Sequence, residues 1–195
     1  MGNTKEEILT VAVHLFARDG YEAVSVSRIA GELGMTKGAL YRHYQNKRDI
    51  FEHIVKRMEQ GDSEQAEKNN VPEKEMKKNP EKYQETTLKD FLEYSKFMFT
   101  YWTEDDFASS FRKMLTLEQF RNEEMQGLYQ QYLASGPVEY VKDLFRNMDI
   151  VDADYKAVRF YAIMYLYYSI YDGAQDKEKV IRQLETALNE MIKEF

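Results

Sequence analysis

The segment from Ser25 to Arg48 combines cationic side chains, hydroxyl groups and small residues within one short stretch. Its cations and hydroxyls can donate hydrogen bonds to phosphate oxygens, and the longer cationic side chains also reach acceptor atoms on purine bases. The donors are Ser25, Thr36, Lys37, Tyr41, Arg42 and His43. Gly38 and Ala39 lie among them and permit close approach to a partner surface. This chemistry indicates recognition of a nucleic acid.

The charge of residues 25–48 differs from that of the whole chain. Five Lys and Arg residues in this segment oppose one Glu, whereas the full 195 residues carry a net charge of −7. A basic patch on an acidic body can bind phosphates locally while the body repels DNA elsewhere. Lys47 adds a cation at a predicted helix N-terminus, where backbone N–H groups already favour an anion.

Two short helices joined by a tight turn are predicted to position these donors. Ser25 is suited to cap a helix over residues 26–33, and Gly34 permits the turn that ends it. Thr36 is suited to cap a second helix over residues 37–44. This is the pattern of a helix-turn-helix, whose second helix lies in the major groove of DNA.

Further helices are predicted on both sides of the motif. Thr4 with Glu7 forms a capping box that opens a first helix, and Gly20 is suited to end that helix in a left-handed conformation. A fourth helix is predicted from Asn46 to about Gln60, with Asn46 as its cap.

The remaining chain is predicted to be helical, which makes the expected fold class all-α with about nine to ten helices. It has three prolines and nine glycines in total, and apolar residues recur at helical spacing without strand-like alternation. Residues 61–85 are predicted to be a polar connection that begins with a fraying extension of the fourth helix, with a short helix over residues 73–78 as one option. The last two helices, within residues 154–195, carry stripes that suit shallow-angle packing on partner helices.

The motif resembles the TetR/AcrR family of bacterial transcriptional regulators, specifically over about residues 4–58. The stretch IAGELGMTKGALYRHYQNKRDIF follows the signature of that family. The matching residues are Ile29, Ala30, Gly34, Gly38, Leu40, Tyr41, His43 and Lys47. Met35, Thr36, Tyr44 and Ile50 depart from it conservatively, and we assign Tyr44 mainly to the core.

The resemblance implies a DNA-binding transcriptional regulator of two domains. Residues 1–48 would form a three-helix DNA-binding domain, with the helix-turn-helix at about 25–44, and residues 49–195 an effector-binding and dimerisation domain. The implied DNA contacts are Ser25, Ser27, Thr36, Lys37, Gly38, Tyr41, Arg42, His43 and Lys47. Members of the family bind double-stranded operator DNA as homodimers paired through their last two helices, here within residues 154–195. A repressor released from a palindromic operator by a small-molecule effector is therefore expected.

Aromatic and methionine side chains between residues 91 and 132 are the candidates for an effector pocket. They are Phe91, Tyr94, Met98, Tyr101, Phe107, Phe111, Met114, Tyr129 and Tyr132. Residues of these types line cavities for apolar or aromatic ligands, but they also build ordinary helical cores. The residues alone leave both interpretations open, and the resemblance favours a pocket.

Several other function classes are disfavoured. There is no apolar run long enough to span a membrane and no signal-peptide pattern, and the lack of cysteine fits a reducing cytoplasm. His14, His43 and His53 lack the spacing of a metal site, so no metal or cofactor is expected. The sequence contains no evident nucleophile–base pair of the kind that would indicate an enzyme. The rival interpretation is an all-α dimeric scaffold that binds a protein partner without useful DNA binding.

Overall fold

The computed structural model describes residues 4–72 and 80–195, and these residues form helices joined by turns, with no strand among them. The N-terminal helices are α1 (Thr4–Asp19), α2 (Val26–Glu32), α3 (Lys37–Leu40) and α4 (Lys47–Lys68). The remaining helices are α5 (Pro80–Glu85), α6 (Leu88–Glu104), α7 (Asp106–Glu118), α8 (Glu123–Leu133), α9 (Ser135–Asn147), α10 (Ala153–Gly173) and α11 (Lys177–Ile192). The all-α prediction is confirmed. Within the described residues, no helix is long and apolar enough to cross a bilayer.

The chain forms two compact units. The first unit comprises Met1–Gly61 and Asp105–Tyr129, and the second comprises Asp62–Glu104 and Gln130–Phe195. The first unit therefore contains α7 and most of α8 in addition to the predicted DNA-binding segment. The assignment of functional domains to residues 1–48 and 49–195 stays a prediction.

Helix α1 is amphipathic and packs against α7 within the first unit. Its buried face includes Ile8, Ala12 and Phe16, each fully enclosed. Gly20 ends the helix with φ +87°, and its N–H donates to the carbonyl of Phe16 at 3.0 Å. This left-handed residue confirms the predicted C-terminal role of Gly20, because residues with a Cβ rarely adopt such a φ.

The predicted caps of the helix-turn-helix are present. The Ser25 hydroxyl accepts a hydrogen bond from the Arg28 N–H at 3.2 Å, and the Thr36 hydroxyl accepts one from the Ala39 N–H at 3.2 Å. Gly34 has φ +63° at the turn between the two helices. The second helix is shorter than predicted, because continuous α-helix ends at Leu40. Beyond it the hydrogen bonds mix three- and four-residue spans, since the N–H groups of His43 and Tyr44 both donate to the Leu40 carbonyl, at 2.9 and 3.2 Å.

Helix α4 begins as predicted and extends further. The Asn46 side chain accepts a hydrogen bond from the Asp49 N–H at 2.9 Å, which confirms the cap. The helix continues past Gln60 to Lys68 before Asn70 adopts φ +56°, so the predicted polar connection begins inside a helix. Residues between Gln60 and Lys68 are mostly good helix formers, and the chain has no proline there. The optional helix over residues 73–78 lies outside the described residues.

The second unit is built on an aromatic core. The Phe91 ring lies 5.4 Å from that of Phe145 and 4.9 Å from that of Phe160, centroid to centroid. Phe99 stacks on Tyr168 at 5.1 Å. Helix α10 packs along both α9 and α11, so the two long C-terminal helices form part of this core. Aromatic pairs of this kind stabilise the fold by more than the burial of their apolar surface alone would give.

Tyr44 provides a test of the first unit's core. It is 3% exposed, which confirms its assignment to the core, and its hydroxyl donates to the Lys5 carbonyl at 3.2 Å. Burial raises the pKa of Tyr44 to about 12, and the Glu6 and Asp49 carboxylates add to the effect. The unfolded chain therefore loses this proton at a lower pH than the folded chain does.

We expect the stability of the wild type to fall as pH rises from about 10 to about 12, in part through Tyr44. Tyr44→Phe removes this titration, so the unfolding free energy of the variant should fall less over that range than that of the wild type. Below about pH 10 the variant should be about 1 kcal/mol less stable than the wild type, because it lacks the hydrogen bond to the Lys5 carbonyl. Urea unfolding followed by circular dichroism measures both values. Tyr155→Phe, at a tyrosine 64% exposed, is the control. Equal alkaline losses in wild type and Tyr44→Phe would contradict the assignment.

Candidate nucleic-acid interface

The predicted DNA contacts lie together in the first unit, between the start of α2 and the start of α4. The exposed members are Ser25, Ser27, Thr36, Lys37, Gly38, Tyr41 and Arg42, whereas His43 and Lys47 are half-buried. Ser25 and Thr36 use an oxygen lone pair for capping and keep the O–H for a phosphate. Their roles as DNA contacts stay predictions.

Helix α3 presents a cationic and aromatic face. Lys37 and Tyr41 lie one turn apart, with the Lys37 ammonium 5.6 Å from the centroid of the Tyr41 ring. Tyr41 is 43% exposed despite its size. A Cβ added at Gly38 would meet only the Thr36 hydroxyl, at 4.0 Å. The fold therefore has room for a side chain at Gly38.

The cations of this region differ in how far they are neutralised. Arg28 lies 2.9 Å from the Asp19 carboxylate, and Arg48 bonds to Glu52 at 2.8 Å and to Glu124 at 2.5 Å. Within residues 4–72 and 80–195, neither Lys37 nor Arg42 has an acidic partner. These two unneutralised charges lie on α3 and in the turn that follows it.

Lys47 is held by the turn between α1 and α2. Its ammonium donates to the carbonyl of Tyr21 at 2.8 Å and to that of Glu22 at 3.4 Å, and it lies 3.6 Å from the Glu22 carboxylate. It also sits 4.2 Å from the centroid of the Tyr21 ring. Lys47 thus joins the start of α4 to this turn, a role that the sequence did not indicate.

Sequence reasoning also missed two carboxylates from the α7–α8 region. Glu124 forms a two-point ion pair with Arg48, at 2.5 Å for each oxygen. Glu118, which is 1% exposed, accepts a hydrogen bond from the Tyr21 N–H at 3.0 Å. Both lie far from the motif in sequence, and neither belongs to a local pattern that could have identified it.

Two of the three histidines lie next to acidic residues. His14 Nε2 lies 2.9 Å from Asp106, and His53 Nδ1 lies 3.1 Å from Asp49. Across the described ranges of the chain, no group of three metal-ligating side chains converges on one point.

The nine candidate pocket residues are divided between the two units. Phe107, Phe111, Met114 and Tyr129 belong to the first unit and are buried there. Phe91, Tyr94, Met98, Tyr101 and Tyr132 belong to the second unit, where Phe91 is part of the aromatic core. No single unit brings all nine together, and their role as a pocket lining stays a prediction.

The segment that contains the helix-turn-helix is similar to known regulatory proteins. Residues 8–54 match the family described as bacterial regulatory proteins, tetR family. The chain is 41% identical over 51 residues to the HTH-type transcriptional regulator AcrR of Shigella flexneri, which is 26% of this chain and 24% of that protein. The match thus spans about a quarter of the length of this curated relative.

Two solved structures share the fold over nearly the whole chain. One is a transcriptional regulator of the TetR/AcrR type from Aquifex aeolicus VF5, with a TM-score of 0.73, 17% identity and coverage of 96% of this chain and 98% of that one. The other is the complex of SmeT with triclosan, with a TM-score of 0.72, 16% identity and coverage of 97% and 90%. SmeT is the repressor of a multidrug efflux pump of Stenotrophomonas maltophilia.

The Arg48–Glu124 pair makes a pH-dependent contribution to stability. Hydrogen bonding to Arg48 lowers the pKa of Glu124, against a smaller opposing effect of burial. A lowered folded-state pKa means that the stabilisation is present above the unfolded pKa and is lost as pH falls through the folded pKa. Both side chains are nearly half exposed, so solvent screening limits the contribution to about 0.5 kcal/mol.

Glu124→Gln should therefore be less stable than wild type near neutral pH and should approach it in acid. Urea unfolding at a series of pH values gives the two free energies. Glu123→Gln, which removes a neighbouring exposed carboxylate, is the matched control. If the gap between Glu124→Gln and wild type stays constant down to acid pH, the pair does not titrate as described.

Proposed function

We propose that this chain, whose residues 8–54 are a TetR-family region and whose fold is that of TetR/AcrR regulators, is a sequence-specific DNA-binding transcriptional repressor. The observation that carries the proposal is the pair of exposed cations, Lys37 and Arg42, on the second helix of a capped helix-turn-helix and in the turn just after it. They combine reach for base edges with reach for phosphates. The acidic remainder of the chain confines this attraction to one face.

In the proposed complex, α3 enters the major groove. Lys37 and Tyr41 face base edges, and Gly38 lets the backbone come close to them. Arg42 and His43 reach flanking bases or phosphates, while Ser25, Ser27 and Thr36 donate to phosphates. Lys47 contacts a phosphate only if its ammonium leaves the Tyr21 carbonyl, so we assign its first role to the turn.

A homodimer would place two recognition helices on a palindromic operator, about 34–36 Å apart on successive turns of the major groove. Helix α10 supports this proposal with an exposed apolar stripe. Val158, Tyr165, Leu166 and Ile170 are 47%, 47%, 56% and 40% exposed, at spacings that place them on one side of the helix. We propose that the same stripe of a second copy covers it.

The proposed control is by a small apolar or aromatic effector. SmeT, of similar fold, has been solved with triclosan, and this chain has candidate pocket residues of matching character in its aromatic and methionine side chains. The effector would favour a dimer geometry in which the two recognition helices no longer match successive grooves. Moving that equilibrium from 1:99 to 99:1 takes about 5.5 kcal/mol of differential binding.

The DNA-contact proposal predicts different losses at two cations. Lys37→Ala should reduce the preference for operator over random DNA by about 1–3 kcal/mol, because a base contact is removed. Arg42→Ala should weaken both complexes and lower the salt slope by about one, because a phosphate contact is removed. Fluorescence anisotropy over a salt series measures both, with the duplex taken from a random pool selected on the wild-type protein.

Lys89→Ala, at an exposed lysine of α6, is the control and should leave both quantities unchanged. If neither variant differs from wild type, the assigned contacts are wrong. If the wild type selects no duplex and forms no salt-sensitive complex, the protein-interaction scaffold replaces the repressor.

The dimer proposal predicts that Leu166→Glu dissociates the homodimer, since a charge would be buried in the apolar interface. The dissociation constant should rise by at least about thirtyfold, the loss expected at a central interface residue. Native mass spectrometry with sedimentation velocity measures the species present. Leu117→Glu, at a leucine 40% exposed in the first unit, should not change the mass. A Leu166→Glu protein of unchanged mass at every concentration contradicts this interface.

A further inference from the structure

In the turn between α1 and α2, both backbone polar groups of Tyr21 are hydrogen-bonded to side chains of other helices. Its N–H donates to Glu118 Oε1 at 3.0 Å, and its carbonyl accepts from Lys47 at 2.8 Å. Its ring packs edge-on against Phe16 at 5.0 Å and Phe51 at 5.3 Å. Tyr21 is thus fixed by helices that precede it, follow it and lie far from it in sequence.

The Glu118 carboxylate occupies an unfavourable position for a charge. It is 1% exposed, and it is the last residue of α7, where the helix dipole opposes a negative group. Its partners within the described residues are the Tyr21 N–H and the Arg121 guanidinium, whose Nε lies 3.7 Å away. An apolar side chain would be easier to bury there. Stability alone therefore does not account for a carboxylate at this position.

Gly20 and Glu118 fit each other. In a full Schellman ending, the N–H that follows the left-handed glycine returns to the helix it terminates. In this chain the Gly20 N–H bonds to Phe16, but the Tyr21 N–H leaves α1 and bonds to Glu118. A Cβ at Gly20 would lie 2.9 Å from Glu118 Oε1. The carboxylate therefore reaches the turn only because residue 20 has no side chain.

We propose that Glu118 is a positioning residue for DNA binding, contributed by α7 to the helix-turn-helix. By holding the Tyr21 N–H, it fixes the turn from which α2 departs at Val26, and hence the direction of α2 and α3. The inference rests on the proposed function. The inference adds that DNA binding depends on a residue outside the helix-turn-helix, the buried carboxylate of Glu118, which does not itself contact DNA.

Charge and position predict opposite effects at Glu118. Removing a negative charge from an acidic protein strengthens its attraction to DNA if long-range electrostatics decide. Removing the acceptor of the Tyr21 N–H weakens binding if the position of the turn decides. Glu118→Ala removes both charge and acceptor, whereas Glu118→Gln removes the charge but keeps an amide oxygen that accepts the same hydrogen bond.

The test measures the full-length protein against the duplex that the wild type selects from a random pool, by anisotropy over a salt series. Glu118→Ala should bind about tenfold more weakly at every salt concentration with an unchanged salt slope, because no phosphate contact is lost. Glu118→Gln should stay within about threefold of wild type, because its amide oxygen still accepts the Tyr21 N–H. Glu123→Gln, which removes an exposed charge from the same unit, gives the effect of charge alone.

A second measurement covers the case in which Glu118→Ala folds poorly. Gly20→Ala has two effects on the turn: its Cβ displaces the Glu118 carboxylate, and it strains the backbone, which has φ +87° at this residue. Both effects should weaken DNA binding without changing the salt slope. In the Glu118→Gln background, Gly20→Ala should reduce DNA affinity about as much as it does in the wild type, since the amide oxygen occupies the place of the carboxylate oxygen. In the Glu118→Ala background, the loss of affinity caused by Gly20→Ala should be smaller, because no carboxylate remains for the Cβ to displace. Thermal unfolding of each variant gives the folded fraction by which the affinities are corrected.

Three outcomes overturn the inference: Glu118→Ala binds as tightly as wild type or tighter, Glu118→Gln binds as weakly as Glu118→Ala, or the Gly20 and Glu118→Ala losses simply add. The proposed function fails by a different result. In that case the wild type itself selects no duplex, whatever the variants do.

Discussion

Helix α1 packs against α7, and the turn at Gly20 and Tyr21 is bonded to Glu118 of α7. In the arrangement that we propose, the position of the helix-turn-helix follows from that turn. Helices α2 and α3 are seven and four residues long, too short to be stable in isolation. Their caps at Ser25 and Thr36 define where they begin but not where they point. Direction comes from neighbours, and Glu118 and Lys47 both bond to the turn itself.

In the first unit, most cations of the helix-turn-helix segment are paired with acidic side chains or bonded to carbonyl groups, so the remaining positive charge is concentrated at two residues. Counting residues gives the motif five cations, but acidic side chains are paired with Arg28 and Arg48. Lys47 is occupied by the carbonyls of the α1–α2 turn. The unneutralised charges belong to Lys37 and Arg42. In the proposed repressor, this short basic surface on an acidic chain would suit a protein that must leave non-specific DNA easily.

The chain passes between the two units on both sides of the α7–α8 segment. The α7–α8 segment, residues 105–129, belongs to this unit, although the residues on either side of it belong to the second. Glu118 and Glu124, which hold the turn and the start of α4, are both on that segment. In the proposed repressor, a shift of α7 would change the position of the reading helix without any change in the residues that touch DNA.

The sequence by itself determined the local structure. Ser25, Thr36 and Asn46 were identifiable as caps, Gly20 as a left-handed helix end and Gly34 as a turn. Capping and turn formation depend on residue type over three or four positions, so a short stretch of sequence is enough to predict them. The all-α class followed from helical periodicity in the same way. Tertiary structure decided the contacts between residues far apart in sequence. The partners of Tyr21 and Arg48, Glu118 and Glu124, lie 97 and 76 residues away, and no local pattern encodes contacts at that separation.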